Sequence, residues 1–160
     1  MLQDFLNQFK SVVISSLDEE NNPYSSYAPF IKNNGKYYIY ISDIARHAKN
    51  LRTHLKASLI FIEDENISKN IFARKRASYQ CKVKIISRNE TTFSNILNLF
   101  SNKFDETMIK TLQGMNDFNL YELTPYSGEA VFGFGEAYTI GGEDMQTLET
   151  RKGGAHHKQK

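Results

Sequence analysis

YISDIARHAKNLRTHLKASLIFIED, residues 40–64, runs from a β-prone segment through a basic amphipathic stretch into an aliphatic segment that ends on acids. Ser42 carries a hydroxyl where a helix start wants an acceptor for a free backbone N–H, and Asp43 brings negative charge to the positive end of the helix dipole. The spacing predicts a helix over residues 42–52. At ~100° per residue Ile44, Ala48 and Leu51 share one face, His47 and His54 flank it, and Arg46, Lys49 and Asn50 point away. Packing and ligand contact are thereby divided on one short element. Ser42, Arg46, His47 and Lys49 are its candidate contacts for an anionic group.

Around this unit the periodicity is mostly that of strands. Residues 1–10 predict a short helix with Leu2, Phe5, Leu6 and Phe9 on one side, and residues 11–17 form a compact β-prone run. A polar turn leads to a second strand over 24–32, and Asn34-Gly35 supplies the positive φ angles of a tight hairpin into residues 37–41. Residues 57–62 read as a short apolar strand and 64–72 as a helical link. Ala77, Tyr79, Cys81, Val83 and Ile85 then alternate with polar residues, a period of two with one face buried and one wet. Phe93, Ile96, Leu97, Phe100 and Phe104 recur at helical spacing, with a second short helix over 107–113. Residues 118–123 and 130–134 return to β character, interrupted by Pro125 and Gly128. The expectation is a β-barrel with packed helices.

Composition limits the alternatives. A chain of 160 residues with 40% hydrophobic content buries one core. No run approaches the roughly 20 apolar residues of a membrane span, and residues 1–10 lack the apolar region of a signal peptide, so a cytoplasmic protein without membrane contact is expected. Cys81 is the single cysteine, which rules out an internal disulfide, and its phase makes it a buried small hydrophobe. A net charge of +2, without basic residues interleaved with stacking aromatics, argues against nucleic-acid binding. The basic groups are nevertheless clustered. Arg74 and Arg76 fall on one side of a strand, which suits paired carboxylates or a phosphate. RKGGAHHKQK at residues 151–160 has cations, His156 and His157, and no acid. Residues 141–160 are read as a flexible basic tail appended to a barrel domain of residues 1–140.

SYAPF at 26–30, ISDIARHAKNL at 41–51, IED at 62–64, FARKR at 72–76, DF at 117–118 and GFGEAY at 133–138 occur in order. Together they resemble the HutZ/HugZ group of haem-utilisation proteins, within the pyridoxamine-phosphate-oxidase-like class that usually binds FMN. The resemblance implies a six- to seven-stranded antiparallel split barrel with short packing helices. It also implies a homodimer with its sites at the subunit interface, of the shorter form that lacks an additional N-terminal domain. By that resemblance a tail histidine, His156 or His157, ligates haem iron, and Asp117 is the carboxylate that hydrogen-bonds to it.

Haem is a flat apolar disc with two carboxylates and an iron, so a site needs apolar walls, cationic partners and an axial base. Tyr27, Phe30, Phe72, Phe132 and Phe134 are candidate walls. Arg74, Arg76, Arg46, Lys49 and Ser42 are candidate propionate or phosphate partners. The activity implied is a haem oxygenase that consumes O₂ and electrons from a donor and releases a biliverdin-type tetrapyrrole, carbon monoxide and iron for iron acquisition. A haem carrier or store, using the same residues without degradation, and an FMN-dependent oxidoreductase are the competing expectations. His47 and His54 also fit plain packing roles. Seven helical residues set them ~10 Å apart, too far to share one metal ion.

Overall fold

Alternating burial decides the sheet. In the computed structural model, which describes residues 1–151, β1 (Ser11–Leu17) turns Val12, Ile14 and Ser16 inward and pairs antiparallel with β2 (Pro23–Pro29). β3 (Ile31–Asn33) and β4 (Lys36–Ser42) form the expected hairpin. Asn34 and Gly35 take φ of 50° and 75° at its turn. β5 (Lys56–Ile62), β6 (Arg76–Ile86) and β7 (Phe118–Gly133) complete the path, and the strand order is β2-β1-β5-β6-β7-β4-β3. β8 (Glu136–Gly141) pairs with β7 and β9 (Thr147–Thr150) with β8. The described chain thus has nine strands, where six to seven were expected. The split barrel itself is present.

Two cores result from the two faces. Inward residues of β1, β4, β5, β6 and β7, among them Ile14, Ile39, Phe61, Tyr79 and Leu123, meet in the barrel, which the short helix α1 (Leu2–Leu6) covers. On the other face of β4, Tyr38 and Tyr40 pack beneath α3 (Thr91–Lys103) and α4 (Glu106–Gln113) with Ile96, Leu97 and Phe100. β4 is therefore buried on both sides, which explains its unbroken apolar run. Cys81 is fully buried in the barrel, and burial pushes its thiol up to about 12. No helix among the described residues is long and apolar enough to cross a membrane.

Several sequence expectations change. The helix after β4, α2, spans Arg46–His54 and its N-cap is Ala45, not Ser42. Ser42 is instead the last residue of β4, paired with Phe118, and its hydroxyl has another partner. Ile44 precedes the helix and is 88% exposed, whereas Asn50, expected to point outward, is buried and donates to Ser16 Oγ at 3.1 Å. The link over 64–72 forms two single 3₁₀ turns, Glu65–Ile67 and Ile71–Ala73, started by Asp64 and Asn70 side chains that accept backbone N–H groups.

β7 is one 16-residue strand rather than two short ones. A bulge opposite Gln80 and Cys81 absorbs the irregularity at Pro125, because Cys81 pairs with Pro125 and Gln80 with Ser127. Gly128 lets the backbones close up beyond it: a Cβ there would lie 2.9 Å from Tyr79 Cδ1 and 3.0 Å from the Ser78 carbonyl oxygen. Residues 141–151 begin the segment expected to be a tail, yet they include β9, and the Arg151 N–H donates to the Ala137 carbonyl at 2.9 Å. His156 and His157 lie outside the described residues.

Candidate ligand-binding site

The β4–β7 pairing brings Ser42 beside residues 75 or more positions away. Ser42 Oγ donates to Asp117 Oδ2 at 2.5 Å, and the Asp43 N–H donates to the Asp117 carbonyl at 2.7 Å. Asp43 is the hub of this group. Its carboxylate accepts from Arg52 Nη1 at 2.5 Å, Asn119 Nδ2 at 2.7 Å and the Tyr121 hydroxyl at 3.3 Å. None of these three partners was singled out from the sequence. Asp43 had been read as a dipole partner for the helix, and only the strand register reveals its neighbours across the sheet. Asp117 is half-buried, and among the described residues its Oδ1 accepts no hydrogen bond.

Arg46, Lys49 and His54 of α2 are engaged with the β1–β2 turn. Arg46 pairs with Asp18 at 3.7 Å and lies 4.9 Å from the Tyr24 ring, while Lys49 pairs with Glu19 at 3.0 Å. Hydrogen bonds from the Asn22 backbone hold the Asp18 carboxyl below its usual range. His54 Nε2 contacts the Asp18 carbonyl at 2.7 Å. His47 Nδ1 meets Ser26 Oγ at 2.9 Å, and burial pushes the imidazole below its ordinary value, which favours the neutral ring. Arg46 and Lys49 thus have carboxylate partners within the chain, and both histidines have packing contacts.

A second group gathers where β6 begins. Arg74 donates from Nε and Nη2 to the Glu63 carbonyl and from Nη1 to Glu65 at 3.0 Å, so it braces the link before β6. Arg76 Nη1 donates to the Arg74 carbonyl at 3.1 Å, its one hydrogen bond among the described side-chain contacts. Arg76 pairs with Val131 near the far end of β7. From this end Phe72, 90% exposed, and Phe134, 83% exposed, extend their rings. Phe30 and Phe132 are core residues instead, and Tyr27 is exposed.

Arg76 and Asp117 therefore stand at opposite ends of the sheet. β6 runs from Arg76, opposite Val131, to Ile86, opposite Leu120, and the ten steps between these residues at ~3.3 Å each span ~33 Å along the strand. Two concavities of about 460 Å³ each lie elsewhere: one between α1 and α3 near Phe9, Phe30 and Lys103, the other around Gln3, Asn34 and Asp144. No group of three metal-ligating side chains exists among the described residues.

Residues 1–132 match the pyridoxamine 5'-phosphate oxidase family. The chain is 35% identical over 144 residues to heme oxygenase HutZ of Vibrio cholerae, covering 90% of this chain and 81% of that protein. The chain belongs to the HutZ group of the pyridoxamine 5'-phosphate oxidase-like split-barrel family. The crystal structure of HutZ, described as a haem storage protein, superposes with a TM-score of 0.76 at 33% identity over 84% of this chain and 92% of that one. ChuZ of Campylobacter jejuni gives a TM-score of 0.82 at 30% identity over 99% of this chain and 65% of its own length. The HutZ-group motifs read from the sequence fall in both clusters, FARKR and GFGEAY at the Arg76 end and ISDIARHAKNL and DF at the Asp117 end.

Proposed function

We propose that the protein binds haem in a cleft between two copies of the chain and degrades it, with Asp117 of one subunit facing Arg76, Phe72 and Phe134 of the other. The separation of the two clusters along β6 carries this reading. The ~33 Å between them is wider than a porphyrin, so within one protomer they cannot line the same disc. Two barrels related by a dyad perpendicular to β6 would bring one end of each sheet to the other end of its neighbour, giving two equal clefts.

The residues present fit the ligand. Phe72 and Phe134 offer apolar rings that a solitary chain leaves in water, and the Arg76 guanidinium suits a propionate. Asp117, with one oxygen held by Ser42, presents Oδ1 to the N–H of an imidazole supplied by His156 or His157, fixing its orientation and raising its donor strength. Haem is the substrate in this scheme: with O₂ and electrons from an external donor the macrocycle opens to a biliverdin-type product, carbon monoxide, iron and water. Arg46 and Lys49 are neutralised by Asp18 and Glu19, which weighs against their holding an FMN phosphate. Arg74 acts as a brace for Arg76 rather than a ligand contact.

Storage without degradation is the second reading, favoured by the description of the HutZ crystal structure. One experiment separates the two. The apo-protein is titrated with haemin and then given a reductant under air. Degradation is expected as steady loss of the Soret band with release of chelatable iron, and a stable reduced spectrum would assign storage. His156→Ala with His157→Ala is expected to change the ferric spectrum and abolish turnover. An unchanged spectrum in that double variant would remove the tail from iron ligation, and a yellow flavoprotein that ignores haemin would overturn the proposal.

A further inference from the structure

The turn that carries Asp117 is held from two directions. On one side, Ser42 fixes Asp117 Oδ2 at 2.5 Å and Asp43 fixes its carbonyl at 2.7 Å. On the other, Arg88 reaches across from the connection between β6 and α3. Its Nη2 donates to the Phe118 carbonyl at 2.9 Å and to the Met115 carbonyl at 3.4 Å, bracketing Asn116 and Asp117. The connection that bears Arg88 is itself fixed, because the Ser87 N–H donates to Glu90 Oε2 at 2.8 Å and Lys84 pairs with Glu90 at 3.4 Å. Phe118, next to Asp117, packs its ring at 5.5 Å from Tyr40. The backbone on both sides of Asp117 and one of its carboxylate oxygens are thus constrained, while Oδ1 accepts no hydrogen bond among the described residues.

We infer that Arg88 is a positioning residue that acts through the Asp117 turn. The inference rests on the reading of Asp117 as the acceptor for an iron-ligating imidazole. Such an acceptor tolerates little displacement, since misplacement by ~1 Å costs up to ~10²-fold in rate where geometry governs the chemistry. In this role Arg88 acts through the turn rather than on the ligand: its guanidinium charge-assists two carbonyl hydrogen bonds that hold the backbone on either side of the carboxylate.

The test is a double-variant cycle on the full chain with Arg88→Ala, Asp117→Asn and their combination, read by the ferric haem spectrum, its pH midpoint and the turnover rate. Arg88→Ala is expected to shift the spectrum and midpoint in the direction of Asp117→Asn and to slow turnover roughly tenfold, short of the full misplacement effect. In the Asp117→Asn background it is expected to add nothing. Arg88→Lys, which retains one cationic donor, is expected to fall between parent and Arg88→Ala, and it carries the test if the alanine variant does not fold. A parent-like Arg88→Ala, or an effect that multiplies undiminished onto Asp117→Asn, overturns the role of Arg88 alone. A parent-like Asp117→Asn overturns the Asp117 assignment and the role of Arg88 with it.

Discussion

His47 illustrates how a residue recognised for one property carries another. Its imidazole is half-buried against Ser26, and burial lowers its proton affinity, so the folded chain favours the neutral ring. Below the ordinary value of 6.5 the unfolded chain takes up the proton before the folded chain does, and stability falls as pH falls from there toward the depressed value. The apo-protein is expected to lose more Tm between pH 7 and pH 5.5 than His47→Gln, whose side chain does not titrate. Equal losses would remove His47 from the linkage. Ser42 shows the limit of local reading. A hydroxyl before a basic amphipathic run satisfies every short-range rule for a helix cap, but a carboxylate 75 residues away competes for it, and the strand extends to meet Phe118.

Elements defined by their own periodicity were legible, and those defined by a partner were not. The Asn34-Gly35 hairpin, the alternation of β6 and the apolar stripe of α3 each follow from a few consecutive side chains. β7 does not, because Pro125 and Gly128 read as breaks until the bulge opposite Gln80 and the crowded approach of Tyr79 are known. Gly128→Ala would push a methyl against the buried Tyr79 ring and the Ser78 backbone carbonyl, at 2.9 and 3.0 Å. The expected cost is about 1–3 kcal/mol from overpacking. In a domain of this size that lowers Tm by about 2–4 °C for each kcal/mol. Thermal unfolding measures it, and a variant as stable as the parent would mean that the β6–β7 spacing relaxes freely.

At the scale of the molecule, the candidate residues make sense only as two halves. The HutZ-group motifs could be read from the sequence, but their distribution over opposite ends of the barrel could not, since chain order does not encode which end of a strand faces which. The consequence is testable by mixing. In the proposed dimer, Asp117→Asn and Arg76→Ala would each spoil both clefts of a homodimer, whereas a mixed dimer would keep one intact cleft and one with both defects. Equal co-expression makes half of the dimers mixed with one good cleft of two, so about a quarter of parental turnover is expected to return. Two inactive variants that stay inactive after mixing, with dimers verified by sedimentation, would place each site inside a single chain.

The anchoring of Arg151 has a bearing on the same geometry. Its N–H is fixed to Ala137, which pairs with Val131 opposite Arg76, so the last described residue lies at that end of the sheet. His156 is five residues beyond Arg151, so covalent geometry at ~3.6 Å per residue keeps the two Cα atoms within ~18 Å of each other. Its own Asp117 adjoins the opposite end of β7, ~33 Å or more along the strand direction from Val131. In the proposed scheme each chain therefore offers its imidazole to a neighbour's carboxylate, and shortening that connection by two or three glycine-region residues would strip iron ligation from both clefts while leaving each barrel whole.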